Sequence, residues 1–308
     1  MLFRRLAWWV AFGLIVVWVV FSLRRVELDL LLSSMRLLSW WQVVVLGMLQ
    51  VLTMSLIAIQ WQWILKAHGS QVSFLKLMRM NLVGAFFEGL TPAAKSGGEV
   101  IKYKLLRDEQ LSKRTVMQVM IFQKVVSLSV FLLFLALSLL VFIPSLNLTQ
   151  TLPGWPLLGI FGGLVVVLMG GYFLLLKTKE STTRRLFEEA WHRHRSIRVP
   201  LVFVSVLVWL IYPLKLLVLL RMMQASLALE GAFVLTFVSY AIAQLPLTLG
   251  GVGTFEVTFV SVMQRLTFSE TFALGVALWF RFVTFWSVFL VGALVVLMTF
   301  WQTKKRFL

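Results

Sequence analysis

The chain has no cysteine, which removes a disulfide framework, thiolate metal sites and a cysteine nucleophile together. Acidic residues are scarce, with 12 Asp and Glu against 29 Lys and Arg, and there are only three histidines. That leaves little from which to build a carboxylate dyad, a Ser–His–Asp constellation or a metal cluster, and the sequence carries no Gly-rich phosphate loop. No catalytic residue, metal or cofactor is therefore expected. Charge of either sign is short too, at 13% against about 25% in soluble domains. What fills the chain is apolar: 60% hydrophobic residues and a mean hydropathy of +0.93. Several runs approach or exceed the roughly 20 residues that cross a bilayer. The fold class expected is an all-α polytopic membrane protein. A net charge of +17 would suggest nucleic acid in a soluble protein. Here positive-inside topology and anionic lipid account for it, so no nucleic-acid partner is expected. Arg4-Arg5 precede an apolar run, but no small-residue cleavage site follows before Arg24-Arg25, so no cleavable signal peptide is expected.

Two breaks interrupt the apolar runs. The first spans Glu88 to Lys104 and holds Pro92, Lys95, Ser96, Gly97, Gly98 and Glu99; the second runs from Gln244 to Glu256 with Pro246, Gly250, Gly251 and Gly253. Pro92 and Pro246 stand 154 positions apart, half of the 308 residues. Broken helices at matching places in two halves point to a transporter-type binding site at the repeat interface.

Taken in order, Leu6–Leu23 reads as a span leaving a cytoplasmic N-terminus, Arg24–Ser39 as a helix on the outer surface, and Trp41–Leu65 as the return span. Lys66–Arg114 holds nine Lys and Arg against four Asp and Glu, which places it in the cytoplasm. Within it, residues 80–106 read as a re-entrant hairpin, a form that survives at membrane depth only when buried in protein or facing a wet cavity. Val116–Ile143 crosses outward and Pro156–Leu176 comes back. Lys177–Arg198 places Leu186, Phe187, Ala190 and Trp191 on one helical face, which suits an interfacial helix on anionic lipid. His192 and His194 fall in this basic stretch and read as a solvated face. Val199–Leu220 crosses again with Pro213 inside, residues 233–264 form a second hairpin entered from outside, and Phe272–Trp301 ends at Lys304-Lys305-Arg306. Residues 1–155 and 156–308 then form two inverted repeats, each of three spans and one hairpin. Eight full spans are the alternative. Both termini are expected in the cytoplasm and the whole in the inner membrane.

Two cations sit where cations are expensive. Lys124 is about eight residues into its span and Arg281 about ten, roughly 12 and 15 Å at 1.5 Å per residue, so both approach the midplane of a core about 30 Å thick. A cation there calls for a partner or a wet cavity. One reading has both facing an anionic head group in one cavity; the other pairs them with Glu88 or Glu256. Ser96 and Glu99 fit a capping box opening the return helix, and Thr254 with Glu256 fits a cap in the second hairpin. Two half-helix N-termini aimed inward would also present free N–H groups to an anion.

These motifs carry a resemblance. Thr91–Glu99, then Pro246, Gly250-Gly251, Gly253 and Glu256, then Arg281-Phe-Val-Thr-Phe-Trp286 and Gly292 resemble the lysylphosphatidylglycerol synthase transmembrane region, the flippase-like integral membrane family. One departure stands out: Gln123-Lys124 and Ser127 occupy places where the family usually carries Glu-Arg and a following acid. The resemblance implies a stand-alone module without the soluble aminoacyl-transferase domain of larger relatives. It implies binding and translocation of an anionic amphiphile, with membrane phospholipid the first candidate and a polyprenyl-phosphate lipid the second. Two rivals stay open: a non-transporting membrane subunit whose partner is a lipid-synthesis enzyme, and a membrane-embedded lipid-modifying transferase. The expected substrate-binding residues are Pro92, Lys95, Ser96, Gly97, Gly98, Glu99, Lys124, Pro246, Gly250, Gly251, Gly253, Glu256 and Arg281. Oligomeric state is not readable from the sequence.

Overall fold

The computed structural model describes residues 38–91, 96–146, 182–193, 195–245 and 248–305; for residues 96, 182–184, 300 and 302–305 it describes the backbone alone. The expected spans Leu6–Leu23 and Pro156–Leu176, and nearly all of the surface helix Arg24–Ser39, lie outside that set. Among the described residues every regular element is helical. They are α1 (Trp40–Ala67), α2 (Phe74–Leu90), α3 (Ser96–Asp108), α4 (Lys113–Leu137), α5 (Thr182–Arg193), α6 (Arg198–Met222), α7 (Leu229–Ala243), α8 (Thr254–Arg265), α9 (Glu270–Arg281) and α10 (Ser287–Lys305). A π turn at Ser138–Phe142 extends α4 toward Ser145, and another at Phe282–Trp286 joins α9 to α10.

Serines start several of these helices. The hydroxyls of Ser73, Ser112 and Ser269 accept backbone N–H bonds from Lys76, Thr115 and Phe272, satisfying donors that a helix start leaves open. Ser39 begins α1 by donating its own N–H to the Gln42 side chain at 2.9 Å. Length then separates two kinds of helix. Trp40–Ala67, Lys113–Ser145, Arg198–Met222 and Glu270–Thr299 are long and apolar enough to cross a membrane. The others are shorter: the 13 residues of α3 and 12 of α8 cover only about 20 and 18 Å of a core about 30 Å thick. Outward faces are apolar. Trp40, Trp41, Val44, Met48, Val51 and Leu52 on α1 are exposed in a stripe at helical spacing, the surface a lipid tail would cover.

Packing is crosswise. α2 lies against α3 and against α10; α7 lies against α8 and against the far end of α4; α1 lies on α6. Two apolar cores result. One, around Trp61, Leu77, Leu106 and Phe122, surrounds the α2–α3 pair. The other, around Phe233, Phe237, Phe255, Phe259 and Phe280, surrounds the α7–α8 pair. Helix α5 departs from expectation. Its Leu186 and Ala190 are buried, and Phe187 and Trp191 stack near Phe122 of α4, with centroids at 6.3 and 6.1 Å. The apolar face read from the sequence is real, but it docks on the protein's own α4 rather than on lipid, because an aromatic side chain waits there.

Candidate functional site

In the first hairpin, glycines remove the side chains at a helix crossing. A Cβ on Gly98 would collide with the Glu88 side chain and stand 2.6 Å from the Gly84 carbonyl; one on Gly84 would stand 2.5 Å from Lys102 Cε. The turn is tied by Thr91, whose hydroxyl accepts the Gly97 N–H at 3.1 Å and donates to the Phe87 carbonyl at 3.1 Å. This close approach lets Lys102 reach Glu88 at 2.8 Å and Glu99 at 3.7 Å, while Lys124 of α4 reaches Glu99 at 3.1 Å. Glu99, expected as the reciprocal partner of a Ser96 cap, thus takes two ammonium groups. Charge-assisted bonds are about twice as strong as neutral ones, which explains the choice. Pro92, Lys95 and the Ser96 side chain lie outside the described residues.

The second hairpin turns through left-handed backbone, with φ of 59° at Gly250 and 87° at Gly253, which a residue bearing Cβ adopts only at a cost. Gly253, rather than Thr254, precedes α8, and its N–H donates to Glu256 Oε2 at 2.6 Å. The Thr254 hydroxyl donates instead to the Gly251 carbonyl at 3.1 Å. The other carboxylate oxygen of Glu256 receives Arg281 Nε at 3.3 Å, and Arg281 Nη2 donates to the Gly250 carbonyl at 2.8 Å. The guanidinium also lies over the rings of Phe255 and Phe285, 4.8 and 4.2 Å from their centroids. A π turn begins directly after Arg281, a distortion that recurs at functional sites. Pro246 lies outside the described residues.

Set side by side, the hairpins share one device. Glu99 and Glu256 each sit in the first turn of the second helix of a hairpin. Each is bound by a cation 25 residues further on, Lys124 or Arg281. The environments differ: the first pair is 52% and 28% exposed at its side chains, the second 3% and 13%. The hairpins touch at their tips, where a Cβ on Gly250 would stand 2.7 Å from the Phe285 ring and 3.1 Å from the Gly89 carbonyl. Lys124 therefore stands on an open flank and Arg281 inside the packing.

Other polar groups were not anticipated. Lys215, fully buried on α6, donates to Gln50 Oε1 at 2.5 Å and Thr53 Oγ1 at 2.8 Å and lies over the Tyr212 ring. Tyr240 donates to Thr284 at 2.8 Å, and Gln60 donates to Ser205 at 2.8 Å on the same α1–α6 seam. A lone lysine inside the apolar run Val199–Leu220 was the available signal, since an intramembrane ionisable residue marks function or pairing by default.

Comparison with known proteins bears on this arrangement. The profile of the family described as the lysylphosphatidylglycerol synthase TM region matches residues 8–292. A UPF0104 membrane protein of Methanocaldococcus jannaschii is 21% identical over 293 residues, covering 86% of each chain.

Proposed function

Because the chain belongs to the lysylphosphatidylglycerol synthase transmembrane-region family, we propose that this multi-pass membrane protein binds an anionic amphiphile between its two hairpins and carries it across the bilayer. The reading rests above all on the repeated carboxylate–cation pair, one per hairpin at the same spacing. The proposed architecture is two inverted repeats, with α2–α3 entering from the cytoplasmic face and α7–α8 from the other. The crosswise packing supports it: each hairpin leans on the long helix of the opposite half, as expected where two halves share a central site. Phospholipid is the first substrate class and a polyprenyl-phosphate lipid the second, both offering a phosphate oxyanion to Lys124.

The unequal exposure of the pairs supplies a mechanism. A phosphate arriving at the first hairpin competes with Glu99 for the open Lys124, and the sealed Arg281–Glu256 pair closes the opposite route. Exchange of the two environments would open the second side and release the lipid there. Such an exchange needs a ligand that binds the two states differently, and an anion displacing a carboxylate from a cation does so.

The test is reconstitution in vesicles with a fluorescent anionic phospholipid, following what becomes reducible from outside. The wild-type protein should move label above the protein-free rate. Lys124→Gln should slow it roughly tenfold, the loss of about 1.4 kcal/mol of charge-assisted contact. Lipid movement no faster than in empty vesicles would remove the carrier reading, and an unimpaired Lys124→Gln would remove Lys124 from the site.

A further inference from the structure

A second polar feature lies away from both hairpins, where the end of α1, the start of α4 and α5 meet. A cleft of about 840 Å³ opens there, lined by His68, Arg114, Thr115, Gln118, Glu189 and Arg193. Its wall already holds one oxyanion, the Glu189 carboxylate. Arg114 grips it with Nε at 3.2 Å and Nη2 at 2.5 Å, and Gln118 Nε2 donates to it at 2.7 Å. This forked guanidinium with an added amide is a donor set that suits a carboxylate or a phosphate equally. One turn further along α5, Arg193 has no carboxylate bonded to it among the described residues.

We propose that this cleft binds a phosphate group, with Arg193 and Arg114 as its cations, Gln118 as a neutral donor, and Glu189 as the internal carboxylate that the ligand displaces. The phosphate is free in solution or carried on a lipid head group; the chemistry of capture is the same. A phosphate brings more negative charge and more acceptor oxygens than the carboxylate it replaces, and it engages Arg193, which Glu189 does not. The cleft involves none of the hairpin residues, so failure of lipid carriage would leave it standing, and the reverse holds too.

The site has its own reporter. Burial, and then the Arg193 guanidinium, lower the pKa of His68 to about 4 from its ordinary 6.5. The charged groups around it are Arg193 and Glu189 from α5, Arg114 from α4 and Lys66 at the end of its own helix. An anion seated beside Arg193 offsets that cation and favours the imidazolium, so the pKa of His68 rises when phosphate binds. By linkage, phosphate then binds more tightly as pH falls through about 5 toward about 4, between the liganded and unliganded pKa of His68.

The experiment titrates His68 by NMR in the full-length protein, in chloride and in inorganic phosphate, with His68→Gln used only to assign the signal among the three histidines. A second arm compares nanodiscs with and without phosphatidic acid. The pKa of His68 should rise by about one unit with phosphate, which is a tenfold coupling. Glu189→Gln should tighten phosphate binding roughly tenfold by removing the competitor, and Arg193→Gln should weaken it by a similar factor. A response to inorganic phosphate assigns a site open to soluble anions; a response only to phosphatidic acid assigns a head-group site. No shift of His68 in either arm, or a Glu189→Gln variant that binds more weakly, would overturn the proposal.

Discussion

Arg281 and Lys124 hold equivalent carboxylates in opposite circumstances, and that difference can be measured. Arg281 is enclosed, bonded to Glu256 and the Gly250 carbonyl and sandwiched by Phe255 and Phe285. Removing one member of a buried pair leaves the other charge uncompensated, at about 3–5 kcal/mol. An exposed pair such as Lys124–Glu99 is worth about 1 kcal/mol or less. Arg281→Gln should therefore melt on the order of ten degrees below the wild type in detergent, while Lys124→Gln stays within a few degrees. Arg281→Lys should fall between, since an ammonium keeps the charge but cannot serve Glu256 and the Gly250 carbonyl with one planar fork. Equal melting of the two glutamine variants would refute the assignment of a structural pair and an open one. From the sequence alone Arg281 looked as available to a ligand as Lys124. Run lengths give only an expected depth, and enclosure depends on Phe255 and Phe285, whose position over the guanidinium needs the hairpin turn and the π turn together. Lys215 escaped notice for the opposite reason: its partners Gln50 and Thr53 lie 165 and 162 positions away, on another span.

At the level of elements, the two helix breaks were legible because proline and glycine break apolar runs whatever surrounds them, whereas re-entry into a membrane is a proposal. The first was expected over residues 80–106, and its helices are Phe74–Leu90 and Ser96–Asp108. The early start was missed because Lys76 and Arg79 look like loop charges, and only the Ser73 cap marks the helix origin. The amphipathic face of α5 was legible as well, but its partner was not, since an apolar stripe fits lipid and protein alike. What holds α2 to α3 is the absence of side chains at Gly84 and Gly98. In Gly98→Ala the new methyl meets backbone, the Gly84 carbonyl at 2.6 Å, so α3 must slide and draw Lys102 away from Glu88. Overpacking of this kind costs about 1–3 kcal/mol. Gly47→Ala on α1 meets nothing within 4 Å and should be neutral or stabilising by up to about 1 kcal/mol. Paired melting curves check this, and a Gly98→Ala variant as stable as Gly47→Ala would show that the crossing tolerates separation.

For the whole molecule the decisive quantity is which ends share a side. Lengths constrain the answer. α3 and α8 are too short to cross a core of about 30 Å, so each should return to the face from which its hairpin entered. The α1–α2 and α3–α4 turns then lie together on one face. In the proposed arrangement the end of α4 near Ser145 and the α8–α9 turn would lie on the other. The proposed orientation follows the basic residues: Lys66–Arg114 and the Lys304-Lys305-Arg306 tail carry an excess of positive charge, the kind that favours the cytoplasmic side. Because the chain has no cysteine, single replacements need no altered background. Ser145→Cys and Ser269→Cys should react with an impermeant maleimide on intact cells, while Ser70→Cys and Gln110→Cys should react only after permeabilisation. Leu90→Cys, at the tip of the first hairpin, separates six spans with two hairpins from eight spans. A re-entrant tip stays at membrane depth, packed near Phe285 and Gly250, and should resist the reagent on both sides. In the eight-span arrangement the tip would emerge on the outer face and label there as readily as Ser145→Cys. Outer labelling of Leu90→Cys would end the hairpin reading, and labelling of Ser70→Cys and Ser269→Cys from the same side would end the inversion. Protection of the tip, with the four flanking sites split two and two, is the pattern that two oppositely entered hairpins require.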